Sequence, residues 1–372
     1  MIFIKMSSEN STQAANLLGK PVAELRALMQ SLGEPAYRGG QLYHALYAER
    51  RFELAAMSNL PASLRERLAS ETRIALPEIV RRHVSADGSV RYVLSLSPDA
   101  PATVAKTATV EAVFMPSEGR QTICISTQAG CAVDCRFCLT ATLGLIRNLS
   151  AGEIIGQVLV ALEDNRAALK PQTNVVLMGQ GEPLLNYDAV MAAVRILLDP
   201  HGIGLAPRHV TLSTSGIVPG IERLATEKVR PKLAISLNAS SDEQRNQVMP
   251  INRKYPLEML LGACRKYLLR SREYLTFEYV MLGGFNDSPE DARRVVRLLS
   301  EIRAKVNLIP WNPGELPWHR PEPERVRAFQ EILIAKGVPT FIRDSRGQDV
   351  MAACGQLALL ESGSRQANPV QL

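Results

Sequence analysis

The sequence predicts an α/β chain, a largely parallel sheet with helical crossovers preceded by a small α+β unit. Three observations carry this reading. From about residue 107 onward, strand-like runs alternate with amphipathic helical runs six times. Before that point the order differs, with helices first and then two strands around a turn. The length of 372 residues also exceeds one minimal domain, at roughly 100–200 residues per domain.

Residues 21–32 (PVAELRALMQSL) and 39–48 (GGQLYHALYA) place apolar side chains at three- and four-residue spacing, which predicts two helices. Pro61 fits the first turn of a third, SLRERLAS. Strands follow at 79–83 and 89–96 around the turn-forming pair Asp87-Gly88, and PDAPATVAK (98–106) reads as a linker. An accessory unit over 1–105 results. Core strands are expected at 121–126, 174–178, 209–214, 232–237, 275–281 and 306–310. Helices are expected at 151–163, 187–198, 256–269, 289–305 and 322–336. Whether the sheet is open or barrel-like, functional loops belong at the C-terminal ends of its strands. The core is read as 106–345, with a C-terminal segment over 346–372 whose tail from Ser362 is polar.

Composition narrows the function classes. Hydrophobic residues make up 46% and charged residues 22%, ordinary for a globular protein with a sizeable core. No stretch approaches the roughly 18 apolar residues of a membrane span. The N-terminal MIFIKMSSENSTQ is too short in apolar residues for a signal peptide, so a cytoplasmic protein is expected. Six unevenly spaced cysteines then point to metal or redox chemistry rather than to a disulfide scaffold. The net charge of +6 admits a nucleic-acid partner, and 221–280 holds eleven Lys/Arg against seven Asp/Glu.

The decisive segment is GCAVDCRFCL, in a loop directly after the first core strand. Cys131, Cys135 and Cys138 form C-x₃-C-x₂-C, a spacing that lets three thiolates hold three irons of a [4Fe–4S] cluster and leaves one iron open. A structural zinc site is the alternative, but it usually takes four ligands, and the five histidines are scattered. Gly179-Gln180-Gly181-Glu182-Pro183 follows the second strand.

Together these loops resemble the radical S-adenosylmethionine (SAM) superfamily. The runs GCAVDCRFCLTATLGLIRNL, MGQGEPLLNYD, VTLSTSG, LAISLNA, PINRKYP, LIPWNP and DVMAACGQL further resemble the RlmN-type adenosine-C2 RNA methyltransferase family. Gln180 and Asn238 depart from the Met and His usual there. The resemblance implies a partial (βα)6 barrel, a [4Fe–4S] cluster and SAM. It implies that Gly181 and Glu182 meet the amino group of SAM, that Ser213, Ser236, Leu237 and Asn238 meet its ribose or carboxylate, and that Asn312 meets its adenine or ribose. Two SAM molecules are consumed, one as methyl donor and one as radical source.

Carbon 2 of adenine is a poor nucleophile, whereas a thiolate accepts a methyl group readily. The resemblance therefore assigns Cys354 as the methyl carrier and Cys124 as the cysteine that resolves its adduct with RNA through a transient disulfide. On the residues alone, Cys124 reads equally as a buried strand cysteine. Glu111, in VEAVF, aligns with a proton acceptor, and apolar neighbours would raise its pKa. Cys264 reads as a packed helix cysteine. The implied partners are 23S rRNA, tRNA and an external electron donor of flavodoxin type, for a monomer; the neighbouring adenosine-C8 methyltransferases share the cysteine set.

Overall fold

The computed structural model describes residues 14–96, 108–313, 315–343 and 345–357. The expected linker lies outside the described residues, as does the polar tail. The N-terminal unit runs β1 (Ala15–Asn16), α1 (Val22–Ser31), α2 (Tyr37–Tyr47), α3 (Ala62–Glu71) and β2 (Thr72–Arg73). Its helices bury Leu25, Met29, Leu42, Leu46, Leu64 and Leu68, the stripe that the sequence spacing predicts. The parallel pair β1–β2 closes it.

A hairpin of β3 (Glu78–Val84) and β4 (Val90–Leu96) follows, then β5 (Ala108–Ser117) and β6 (Arg120–Cys124). A small hairpin, β7 (Gln128–Gly130) and β8 (Leu145–Asn148), brackets the cysteine loop. Helix α4 (Ala151–Asp164) starts at a capping box between Ser150 and Glu153. The chain continues with β9 (Gln172–Leu177), α5 (Tyr187–Leu198), β10 (Val210–Thr214), α6 (Val218–Thr226), β11 (Lys232–Ser236), α7 (Asp242–Val248) and α8 (Leu257–Lys266). It ends with β12 (Leu275–Met281), α9 (Pro289–Leu299), β13 (Ala304–Pro310), α10 (Pro323–Ala335) and β14 (Thr340–Ile342).

Ten strands form one sheet in the order β14-β13-β12-β11-β10-β9-β6-β5-β4-β3. Neighbours from β6 to β14 are parallel, while β3 to β6 pair antiparallel. The sheet stays open between β14 and β3, the partial barrel expected. The β3–β4 hairpin, assigned from sequence to the accessory unit, is hydrogen-bonded into the core sheet through β5.

Strand alternation gives the sheet two faces. Val110, Ala112, Ile123, Val175, Leu177, Leu212, Leu233, Ile235, Phe277, Val306 and Leu308 belong to the main core beneath the helices. Their neighbours in sequence, including Glu111, Cys124, Ser213, Ser236 and Glu278, therefore face the barrel interior. No helix among the described residues is long and apolar enough to cross a membrane.

Candidate active site

The cysteine loop is built on glycine and on contacts from distant elements. Gly130 has φ +73°, and a Cβ there would fall 1.8 Å from the Gly144 carbonyl oxygen. The Cys131 amide donates to that same oxygen at 2.9 Å, so the loop closes only with glycine at this position. Trp318 donates its indole N–H to the Arg136 carbonyl at 2.8 Å, and Trp311 donates to that of Phe137 at 3.3 Å. Cys135 and Phe137 pack against Val248, Met249, Leu282 and Trp311.

None of the three loop cysteines is in a disulfide. Burial pushes the Cys131 thiol up to about 11, with Glu182 and Cys138 adding to the rise. Burial and then Cys138 and Cys131 raise Cys135 well above its ordinary value, and burial also raises Cys138. Three crowded thiols of this kind become thiolates only beside strong positive charge, which iron supplies. Among the described residues, no three His, Cys, Asp or Glu side chains converge as a single metal ion requires. A cluster binds each cysteine at a different iron and needs no such convergence.

The glycine loop after β9 lies beside this one. A Cβ on Gly179 would fall 2.7 Å from Ser126 Oγ, and Gly181, at φ +97°, would place one 2.5 Å from Gln128 Cβ. Glu182 is buried. One carboxylate oxygen accepts the Leu184 amide at 3.0 Å and the other accepts the Ser215 amide at 2.7 Å. Burial raises its pKa against those hydrogen bonds. The Thr214 side chain also reaches this carboxylate, and an ammonium group would fit beside it as a charged partner.

The remaining expected SAM contacts divide. Ser213 and Ser236 face the barrel interior, half-buried. Asn312 is buried, donates to the Cys354 carbonyl at 3.2 Å, and leaves its side-chain oxygen without a partner. Gln180 Oε1, Ser215 Oγ and Thr127 Oγ1 are buried without partners on the same loops. A polar ligand bound among them would satisfy these atoms. Leu237 offers no such group: its side chain is in the core, its amide donates to the Glu278 carbonyl and its carbonyl accepts from Arg245. Asn238, at φ +56°, uses its side-chain oxygen for the Val280 amide and its amide group toward Met249 Sδ. Both positions shape the loop from within.

Cys354 and Cys124 come together on the inner face. Cys124 sits opposite Val113 and Val176 in the sheet register and packs with Val113, Ala352 and Leu357. Burial, followed by the neighbouring Cys354, pushes its thiol up. Cys354 presents its side chain to solvent, yet the protein around it and then Glu278 raise its thiol to about 11. Gly347 and Gly355 let this loop turn tightly, at φ +61° and +81°. The Leu139 amide donates to the Gly355 carbonyl at 2.8 Å, joining the carrier loop to the cysteine loop. Asp349 accepts from Ser85 Oγ at 2.6 Å and from the Ala86 amide at 3.0 Å, clasping it to the β3–β4 turn.

Glu111 is fully buried on β5, but the apolar surroundings expected from VEAVF are not what its carboxylate meets. Arg91 from β4 pairs with one oxygen, and Gln180 Nε2 lies 3.3 Å from the other. The local sequence shows neither neighbour, because both arrive through the sheet. Cys264 is buried in α8, as expected of a packed helix cysteine.

Sequence reading missed Arg245 on α7, which it counted only as one of the basic residues of 221–280. Arg245 is fully buried and donates to the carbonyls of Leu237, Ser215 and Ser236 and to Asn252 Oδ1, at 3.1, 2.6, 3.0 and 2.9 Å. It thereby ties the loops after β10 and β11 together. No local pattern marks such a residue.

Comparison with known proteins agrees with this geometry. Residues 125–299 match the model of the radical SAM superfamily, and residues 15–74 match that of the ribosomal RNA large subunit methyltransferase N-terminal domain. The probable dual-specificity RNA methyltransferase RlmN of Koribacter versatilis is 50% identical over 90% of this chain and 99% of its own. The chain belongs to the RlmN family. Its relative in Paracoccus denitrificans, dual-specificity RNA methyltransferase RlmN, is 46% identical over 96% of this chain and 93% of its own. The crystal structure of a radical SAM methyltransferase from Sphaerobacter thermophilus superposes with a TM-score of 0.86 at 41% identity, covering 92% of this chain and 99% of that one. As a radical SAM family member, this RlmN-type chain uses a [4Fe–4S] cluster and SAM.

Proposed function

We propose that the chain methylates carbon 2 of adenosine in 23S rRNA and in tRNA, through a methyl group carried on Cys354. The observation that carries this reading is the meeting of Cys354 and Cys124 on the inner face of the barrel, beside the cysteine loop. Cys131, Cys135 and Cys138 would hold the cluster, while Glu182, Ser213, Ser236 and Asn312 would surround SAM. Bound there, cluster and SAM supply a methyl group and a carbon radical able to remove hydrogen from an S-methyl group.

The chain's own residues do the rest. Cys354 Sγ carries the one-carbon unit as a thioether, and its carbonyl is fixed by Asn312. Glu111, on the inner face two residues from the strand partner of Cys124, takes the proton released from the base. Cys124, as a thiolate, then attacks Cys354 Sγ: the bond from sulfur to the one-carbon unit breaks, that carbon takes a proton and becomes the methyl group, methylated RNA leaves, and a Cys124–Cys354 disulfide forms. An external electron donor reduces that disulfide and the cluster, and two SAM molecules are spent per turnover. The adenosine must be unpaired or drawn out of its stack to reach this interior.

Nucleoside mass spectrometry of RNA treated with the reconstituted enzyme tests the proposal. The expected product is 2-methyladenosine in both RNA types. Finding 8-methyladenosine alone would overturn the carbon-2 assignment.

A further inference from the structure

Three cations stand together on the inner face, none of them in a described ion pair. Lys232 opens β11 opposite Thr211, and Lys305 on β13 pairs with Thr276, itself opposite Ala234 of β11. Leu233 and Ile235, and Val306 and Leu308, go to the main core, so Lys232 and Lys305 face inward. The Arg343 amide donates to the Leu308 carbonyl at 2.8 Å, extending β14 along β13. Ile342 packs against the core, so alternation turns Arg343 inward as well.

Lys232 and Lys305 are half-buried and Arg343 is exposed. No ion pair or side-chain hydrogen bond is described for any of the three, although nineteen of the chain's cation–carboxylate contacts elsewhere are short enough to count as pairs. Burial and then Lys305 push Lys232 down, and burial and then Arg343 push Lys305 down, so the cations repel one another. Two carboxylates act on them: Glu278, buried between β11 and β13, which accepts from Asn307 Nδ2 at 2.9 Å, and Glu273, which opposes the fall at Lys232 while itself pairing with Arg270. Three cations against these two carboxylates, one of them already paired with Arg270, leave an excess of positive charge inside the barrel. Arg343 and Glu278 are also both within electrostatic reach of Cys354.

We propose that Lys232, Lys305 and Arg343 form a phosphodiester site, which takes the backbone phosphate of the nucleotide drawn in toward Cys354. This rests on the reading of the chain as an RNA-modifying enzyme and names where that RNA is anchored inside the barrel. An extruded nucleotide loses stacking and pairing, and a phosphate held beside the carrier cysteine offsets part of that cost while setting the reach of the base.

The test uses the cluster-loaded enzyme and a target RNA hairpin with one methylphosphonate, placed in turn at each phosphate near the adenosine. Lys305→Gln and the double variant Lys232→Gln/Lys305→Gln are compared with the wild type by fluorescence anisotropy across salt. The expected result is about tenfold weaker binding of the double variant at low salt and a salt slope smaller by about 1. A single methylphosphonate position should weaken the wild type and leave the double variant unaffected. Thermal stability should hold or rise, since the substitutions relieve repulsion, and SAM cleavage without RNA should be unchanged. Wild-type affinity and slope in the double variant would overturn the proposal. So would loss of stability in Lys305→Gln, which would make the lysine a structural partner of Glu278. Millimolar inorganic phosphate stabilising the wild type, with no methylphosphonate position having an effect, would assign the site to a free anion and overturn it too. Failure of the wild type to methylate any RNA is a separate result, which strikes the functional reading, because the anisotropy measurements report binding alone.

Discussion

Replacing Arg245 with Met removes one cation and leaves four buried acceptors without a donor: the carbonyls of Leu237, Ser215 and Ser236 and Asn252 Oδ1. A buried acceptor left unpaired costs roughly 1–3 kcal/mol. Against this, Met escapes the desolvation that lowers the Arg245 guanidinium to about 10. The net loss expected for breaking a buried charged network is about 3–5 kcal/mol. Because the carbonyls belong to the loops carrying Ser236 and Ser215, SAM binding should weaken as well. Arg245→Lys keeps the charge without the planar fork that serves four acceptors, so it should fall between Met and the wild type. Anaerobic urea unfolding, followed by circular dichroism, gives the stability, and calorimetry with SAM gives the affinity. A loss below about 1 kcal/mol in Arg245→Met, with SAM affinity unchanged, would refute the reasoning.

Acid should open the clasp on the carrier loop. Burial alone would raise Asp87, but hydrogen bonds from Ser89, Gly347 and Ser85 outweigh it and hold it at about 2; those from Ser85 and the Ala86 amide hold Asp349 down. Both carboxyls are depressed in the fold, so their contribution is complete above the ordinary Asp value of about 4 and is lost as the pH falls toward the folded value. The protection of the Gly347 amide against hydrogen exchange, relative to its intrinsic rate, should fall over that interval, and Asp349→Asn should already be less protected at neutral pH; equal protection in variant and wild type would contradict the clasp. Gly181→Ala forces a positive φ on alanine and a contact of 2.5 Å with Gln128. Its strain of about 1–3 kcal/mol should fall on the SAM loop, with SAM affinity down at least tenfold and the visible cluster absorbance retained. Wild-type SAM affinity in this variant would count against the loop's role.

The parts of the site that were legible in sequence are those carried by local chemistry. The spacing of Cys131, Cys135 and Cys138, the glycines around Gln180, and the 3.6- and 2-residue periods of the core elements each state a geometry within a few residues. Helix 187–198 agrees with α5 for that reason, as does strand 275–281 with β12. The parts that escaped depend on register. Arg91 reaches Glu111 across an antiparallel pair, and Lys232, Lys305 and Arg343 share a face only because the four strands β11 to β14 align. The β3–β4 hairpin looked separable because a polar, proline-containing stretch follows it, whereas its hydrogen bonds run directly into β5. Short α6 and α7 were missed because nine and seven residues leave little room for a helical period.

Passage of the one-carbon unit through Cys354 is the central claim, and a trapping measurement tests it most directly. Cys124→Ala, cluster-loaded and supplied with SAM, a reductant and the RNA hairpin, should accumulate a covalent protein–RNA species. Tandem mass spectrometry should place its link at Cys354 Sγ, and Cys354→Ala should yield neither adduct nor product. Free methylated RNA from Cys354→Ala at the wild-type level would contradict the account.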